Sequence, residues 1–443
     1  MNSAVSDQQI ERFLSEHVKG LTITPAQLRA HMIRPQSAPV AFSDNGHTGS
    51  RLSAPAFRRP IESALPHALD VNAFATALQA NLETVAGFCL QIRQQGVAIL
   101  TTSGRWAKAS QDGSEAWTPD VQMHVASVSK LITAMAMTSL FELYNISPND
   151  QIIDHLPNYW IPGPHVQDIT FRHLLNHTSG LTGANFVDFS VIKSSIRTGI
   201  SLGPGAATYL GHYDYQNVNY ALCRILLAVI NGNISRDYVS SGSFFDTDSV
   251  WDLVTIAAYQ AYTVSNVFRP SDVFRATLTH PDAAALAYNG PFDSNPGWNS
   301  EDLSQSCGCD GWHLSINELL NVMGEFRRGR GVLSPESAQQ MLDNGFGVDP
   351  LVYPVVDGEP FPAGLTTAAG EFYCKNGRWY DSETAYRREE QCLAYFLPHE
   401  MELAMFVNSP FASSDINTPT LRDMVTATLL NNLTIQFPDV SEQ

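Results

Sequence analysis

No run of about 18 apolar residues occurs anywhere in the 443-residue chain, so no segment has the length of a membrane-spanning helix. Its opening, MNSAVSDQQIERFLSEHVKG, lacks the apolar stretch that a secretory signal needs. As written, the chain reads as a cytoplasmic protein with no membrane partner, although the processed form of an exported protein would have the same opening. Bases are scarce: 26 lysines and arginines stand against 44 acids, a formal net charge of −18. Nucleic acid and anionic lipid both require a basic footprint, and this chain has none to spread over a surface. Six cysteines are too few for a disulfide-dense scaffold. Cys307 and Cys309 are one residue apart, a spacing that fits neither a redox pair nor a zinc knuckle. All six are expected as thiols, with one bridge left open. Walker loops and dinucleotide glycine fingerprints are also missing, so nucleotide chemistry has no support and no cofactor is expected.

What is present is enough apolar sequence, 44% of residues, for a sizeable core in two or three units. Residues 1–70 are rich in proline, serine and scattered charge and read as an N-terminal extension or arm. From Gly87, GFCLQIRQQGVAILTTSGRW alternates as an antiparallel hairpin does. Residues 127–144, SVSKLITAMAMTSLFELY, are apolar on nearly every face and predict a buried helix. NYALCRILLAVING is the clearest helix of the middle region, and EFYCKNGRWY, AYFLPHE and MELAMFVNSP read as successive strands before a helix from about Thr418 to Asn431. Strands at both ends around a helical middle predict an α/β (α+β) fold. One antiparallel sheet comes from the N- and C-terminal segments, 71–150 and 310–443, flanked by helices, and a mainly helical unit, 151–309, is inserted and covers the cleft.

A serine becomes a useful nucleophile only when a base takes its proton and donors receive the oxyanion. Ser127 and Lys130 stand at i and i+3, on one face of a helix beginning near Ser127, where the helix start adds partial positive charge. A lysine in so apolar a setting has a lowered pKa and can serve as the base. The bland reading of Ser127 is a helix N-cap. The spacing alone decides little, because about one SxxK arises by chance in a chain of this size, and Ser190–Lys193 is such a copy. Gly199-Ile200-Ser201-Leu202-Gly203 has the form of a nucleophile elbow, but Pro204 and Gly205 deny it the following helix, and it reads as a loop. His173 and His177 have the spacing of helix-borne zinc ligands, yet Leu174 stands where the glutamate belongs, so no metal site is expected.

Downstream of Ser127-Val128-Ser129-Lys130 lie Thr170-Phe171-Arg172-His173-Leu174-Leu175-Asn176-His177-Thr178-Ser179-Gly180-Leu181, then Tyr215-Gln216-Asn217, then Lys375-Asn376-Gly377. This order of SxxK, YxN and KxG resembles the serine β-lactamase, penicillin-binding protein and esterase superfamily, in the branch of class C β-lactamases and family VIII carboxylesterases. The resemblance runs from about Gly87 to about Asn432 and leaves out the first seventy or so residues. It implies that Ser127 is acylated, that Lys130 assists its deprotonation, and that Tyr215 relays a proton near the leaving group. It also implies that Asn217 orients the tyrosine or the substrate carbonyl, that Lys375 reads a substrate carboxylate or supports the acidic side of the mechanism, and that Gly377 admits the ligand to the backbone. The amides of Ser127 and Arg378 would then form the oxyanion hole.

Two departures bear on substrate. Asn376 replaces the small hydroxyl residue that β-lactamases and D-alanyl-D-alanine peptidases prefer, and Gln216 replaces the commonest serine. Both weaken a β-lactamase assignment, while the retained Lys375 keeps a carboxylate-bearing substrate open; the expected activity is a carboxylesterase, and the expected partner is a small-molecule ester or amide. A β-lactamase, a D-amino-acid peptidase or amidase, or an acyltransferase are rivals within the fold, and a non-turnover sensor or scaffold is the rival outside enzymology. The aromatic stretch from about Tyr238 to Pro270, with Trp251, Tyr259, Tyr262 and Phe268, has two readings: an apolar lid over the cleft, or the core of the helical unit. No signal fixes an oligomeric state.

Overall fold

The structure, a computed structural model, describes residues 67–435 apart from 202–208, 241–245, 330, 352–354, 356–360, 383–385 and 412–419, together with short pieces at 11, 14–15, 18–21, 23–24, 26–27 and 42–43. Most of the N-terminal extension therefore lies outside the described residues.

In chain order the first elements are β1 (Phe42–Ser43), β2 (His67–Leu69), α1 (Val71–Asn81), β3 (Gly87–Gln94), β4 (Val97–Lys108), β5 (Glu115–Ala116), β6 (Gln122–His124) and α2 (Ser129–Tyr144). The middle is helical: α3 (Phe171–Leu175), α4 (Phe189–Thr198), α5 (Asn217–Ile230) and α6 (Thr247–Thr263). The last third holds β7 (His313–Ser315), α7 (Ile316–Arg328), α8 (Pro335–Asp343), β8 (Leu365–Thr367), β9 (Gly370–Tyr380), β10 (Glu389–Leu397), β11 (Met401–Val407), α9 (Leu421–Asn431) and β12 (Leu433–Ile435).

The main sheet is antiparallel and runs β1-β9-β10-β11-β3-β4-β5, with β8 paired to β9. Its centre joins the two ends of the chain, since β11 pairs with β3 from Met401↔Gln94 to Val407↔Phe88. Every residue of β10 and β11 is buried, the apolar stretches Cys392–Leu397 and Leu403–Val407 together with the polar Glu389, Glu390, Gln391 and Glu402. Alternation still sorts the side chains. Leu393, Tyr395, Leu403 and Met405 face one core with Phe74 and Leu78 of α1 and Val425 and Leu429 of α9. Cys392, Ala394, Phe396, Ala404 and Phe406 face the larger core that includes α2 and the helical middle.

The rings of the 238–270 stretch belong to that larger core. Trp251, Tyr259 and Phe268 are wholly enclosed and Tyr262 nearly so, which settles them as packing residues and corrects the alternative that they form a lid. Tyr259 Oη meets Thr133 Oγ1 of α2 at 2.7 Å and accepts from Trp312 Nε1 at 3.0 Å, polar contacts of the kind that buried phenols and indoles require. All six cysteines are free and buried, so the bridge left open by the sequence does not form. Among the described residues no helix is long and apolar enough to cross a membrane.

Candidate active site

The nucleophile candidate lies on a turn between β6 and α2. β6 pairs with β7 through Met123↔Leu314, and the Val125 amide donates to the Trp312 carbonyl at 2.9 Å, which fixes where the chain enters the turn. Ala126 then adopts φ +46, left-handed backbone that a residue with a Cβ seldom takes, and residues 126–128 form one 3₁₀ turn before α2 begins at Ser129. The α-helix begins near Ser127 as expected, at Ser129, and the bland alternative is corrected: Ser127 is not an N-cap, because Val128 holds that position without a side-chain cap.

Ser127 instead meets Lys130, whose Nζ donates to Ser127 Oγ at 3.0 Å and to the Cys309 carbonyl at 2.8 Å. Lys130 is completely buried. Burial pushes its ammonium below the ordinary lysine value, opposed by the nearby Cys309, Asp310 and Asp349. Its Nζ stands 5.0 Å from the centre of the Tyr215 ring.

Tyr215 reaches the same point from the turn preceding α5. Burial raises its phenol to about 12, with Lys375 and a hydrogen bond to the Ser127 side chain pulling the other way and Asp349 reinforcing the rise. Lys375 Nζ on β9 donates to Tyr215 Oη at 3.5 Å and sits 4.9 Å from the ring centre. The fold thus brings Ser127, Lys130, Tyr215 and Lys375 together from three separated stretches of chain. Gly377 is packed against the nucleophile turn: a Cβ there would fall 2.3 Å from the Val125 carbonyl oxygen and 3.0 Å from the Ser127 amide nitrogen. Only glycine lets the strand run so close.

Asn217 and Arg378 are less directly engaged. Asn217 opens α5 and its Nδ2 donates to the Asn185 carbonyl at 2.8 Å, which ties it to a neighbouring loop. The Arg378 side chain leaves the face of β9 that carries Lys375 and Gly377, as strand alternation demands, and binds Glu389 through Nε and, at 3.1 Å, through Nη2.

The competing motifs are accounted for. Ser190 and Lys193 lie on α4, where Lys193 pairs with Asp248 at 2.8 Å and Ser190 donates to Asp188 at 2.7 Å. Ser201 follows α4, which Gly199 terminates at φ +72, so the strand-to-helix setting of an elbow is missing. His173 is tied into a capping box with Thr170 at the start of α3. Its supposed partner His177 has another place: its ring stacks on Tyr215 with centroids 4.2 Å apart and planes at 31°, and its Nδ1 accepts the Gln216 amide at 3.2 Å. No group of residues that could hold a metal ion occurs among the described residues.

Sequence reasoning missed His177 as a neighbour of Tyr215, although the run Asn176-His177-Thr178-Ser179-Gly180 was a signal, since His177 takes the left-handed backbone at φ +55 that turns the chain there. It also missed Asp349, which forms an ion pair with Lys375 and whose Oδ2 accepts the Asn376 amide at 2.8 Å.

Residues 74–244 match the family model named Beta-lactamase. Over 126 residues the chain is 27% identical to penicillin-binding protein PbpX of Bacillus subtilis, a match covering 28% of this chain and 31% of that protein, under a third of the relative's length. Among solved structures it is similar to the octameric penicillin-binding protein homologue from Pyrococcus abyssi, with TM-score 0.57 and 15% identity over 82% of this chain and 78% of that one. It is also similar to the class C β-lactamase from Rhodobacter sphaeroides, with TM-score 0.54 and 17% identity over 81% of this chain and 99% of that one. The family model supplies a sequence relationship over residues 74–244 and the solved structures the fold: residues 74–244 match the Beta-lactamase family, and the chain has the β-lactamase and penicillin-binding-protein fold, an antiparallel sheet joining both ends of the chain around a helical middle.

Proposed function

We propose that this protein is a serine hydrolase that forms an acyl-enzyme at Ser127 and cleaves carboxylic esters. The observation that carries the reading is the contact of 3.0 Å between Ser127 Oγ and a fully buried Lys130 amine. A neutral Lys130 takes the Ser127 proton as Oγ attacks the carbonyl carbon, so the bond to Oγ forms as the carbonyl π pair moves onto oxygen. The amides of Ser127 and Arg378 receive that oxyanion. Collapse of the tetrahedral adduct expels the alcohol, and Tyr215, whose phenol stays protonated through neutral pH, passes its proton to the leaving oxygen and is resupplied from Lys130. Water then repeats the sequence on the acyl-enzyme and releases the acid.

Ester cleavage is favoured over amide cleavage by Asn376 and Gln216, which stand where the β-lactam- and D-peptide-cleaving members of the superfamily prefer other residues. A panel of short p-nitrophenyl esters, a chromogenic cephalosporin and D-amino-acid amides at equal enzyme concentration tests it. The esters are expected to be turned over fastest. A cephalosporin or a D-amino-acid amide outpacing them would move the assignment to the β-lactamase or amidase reading.

A further inference from the structure

Lys375 is the residue through which the resemblance would have a substrate carboxylate bound, and in this chain its ammonium already has a partner. Asp349 forms an ion pair with it, and the two side chains are each 2% exposed. The aspartate is built in from both sides. Its own amide donates to the Cys374 carbonyl and its Oδ2 accepts the Asn376 amide, both at 2.8 Å, so it is clamped to the strand that carries Lys375. The chain that delivers it runs hard against α2: a Cβ on Gly347 would fall 2.7 Å from Ala134 Cβ and 2.9 Å from Leu131 Cα. The Gly347 amide is fixed by Tyr220 Oη at 2.8 Å. The backbone that carries Asp349 is thereby held between α2 and β9.

Charge counting around the serine follows. Lys375 and Asp349 cancel, a neutral Lys130 and a protonated Tyr215 add nothing, burial pushes the carboxyl of Asp310 beside Lys130 toward its protonated form, and Arg422 is a second cation that acts on Asp349. The Arg378 guanidinium is on the other face of β9, held by Glu389. A substrate carboxylate approaching Lys375 would either add a negative charge to a buried cluster or displace Asp349 and part that buried carboxylate from the ammonium it is paired with, and both are unfavourable. Because Lys375 Nζ lies 3.5 Å from Tyr215 Oη, the exclusion acts on the leaving-group side of the scissile bond.

We propose that Asp349 sets the substrate class of this site: it occupies Lys375 from within the chain, and so selects uncharged leaving groups against those that carry a carboxylate. The inference rests on the reading of Ser127 as the acylated serine and extends it to specificity, with Asp349 as a positioning residue that acts through Lys375.

The test compares 3-carboxyphenyl phenylacetate with its methyl ester, 3-(methoxycarbonyl)phenyl phenylacetate, on the full chain. The wild-type protein is expected to prefer the methyl ester by about tenfold or more in kcat/KM. In Asp349→Asn, which keeps the shape and the bond from the Asn376 amide, that preference is expected to fall by about tenfold or more, with the change in KM for the carboxylate substrate. In the double variant D349N/K375Q, which removes the freed cation, the gain should disappear. A wild-type enzyme that cleaves the carboxylate substrate as well as its methyl ester would overturn the proposal, and so would a folded Asp349→Asn with an unchanged ratio. Should that variant not fold by circular dichroism, the wild-type ratio decides alone. A wild-type protein that cleaves neither compound and takes no fluorophosphonate on Ser127 fails at the acyl-enzyme reading and carries this inference down with it.

Discussion

Lys130 and Tyr215 are both driven by burial toward their neutral forms, and both feel Asp349 in the same direction, since its negative charge favours an ammonium and disfavours a phenolate. A pH profile follows. Activity requires Lys130 neutral and Tyr215 protonated, so kcat/KM should rise with pH through the depressed Lys130 value and fall as Tyr215 ionises near its raised value of about 12. Removing the Asp349 charge lowers both values, because each loses an influence that raises it. In Asp349→Asn the rising limb and the falling limb should therefore both move to lower pH, measured as kcat/KM for a neutral ester under buffers of constant ionic strength. Limbs that stay in place or move up would contradict this account of the electrostatics. The sequence made Lys130 legible because its apolar helix was visible around it. Asp349 left no such sign, since its role depends on a loop carried to β9 across 26 residues of chain and on a buried partner, neither of which has a periodicity to read.

At the level of elements, the long apolar stretches were legible and the turns between them were not. The run from Ser127 to Tyr144 announced α2, yet its first two residues belong to the 3₁₀ turn and the strained Ala126, a local geometry set by β6 pairing with β7 and not by propensity. The third motif was legible as a strand glycine, but the reason for it appears only in packing, where β9 touches the nucleophile turn. Gly377→Ala should consequently lower kcat/KM by about 10²-fold or more, because the new methyl would push the strand from the Ser127 amide, and should cost about 1–3 kcal/mol of stability. Steady-state kinetics beside urea denaturation checks both, and a fully active variant would mean that the strand and turn are not as close as described.

Across the whole molecule, the sheet is where the reading from sequence held best. Strands near each end with a helical middle allowed one arrangement, and the pairing of β11 with β3 realises it. We propose the division into a sheet unit of 71–150 and 310–443 and a helical unit of 151–309 on the same ground. The aromatic stretch after Tyr238 was ambiguous because burial, not composition, separates a core ring from a lid ring. The two cores on opposite faces of the sheet also predict that stability and chemistry separate. Leu429 of α9 is wholly buried on the face away from the serine. Leu429→Ala should cost about 2–5 kcal/mol in urea denaturation, while the rate of Ser127 labelling well below the melting temperature changes less than about twofold. A large loss of labelling in a folded variant would mean that the far core positions the site.

The central claim is that Ser127 is the residue acylated, and the most direct measurement is intact mass followed by peptide mapping after treatment with a fluorophosphonate. The account predicts one adduct, mapped to Ser127, present in Ser201→Ala and absent in Ser127→Ala. An adduct on Ser201 or Ser190, or an undiminished one in Ser127→Ala, would contradict it.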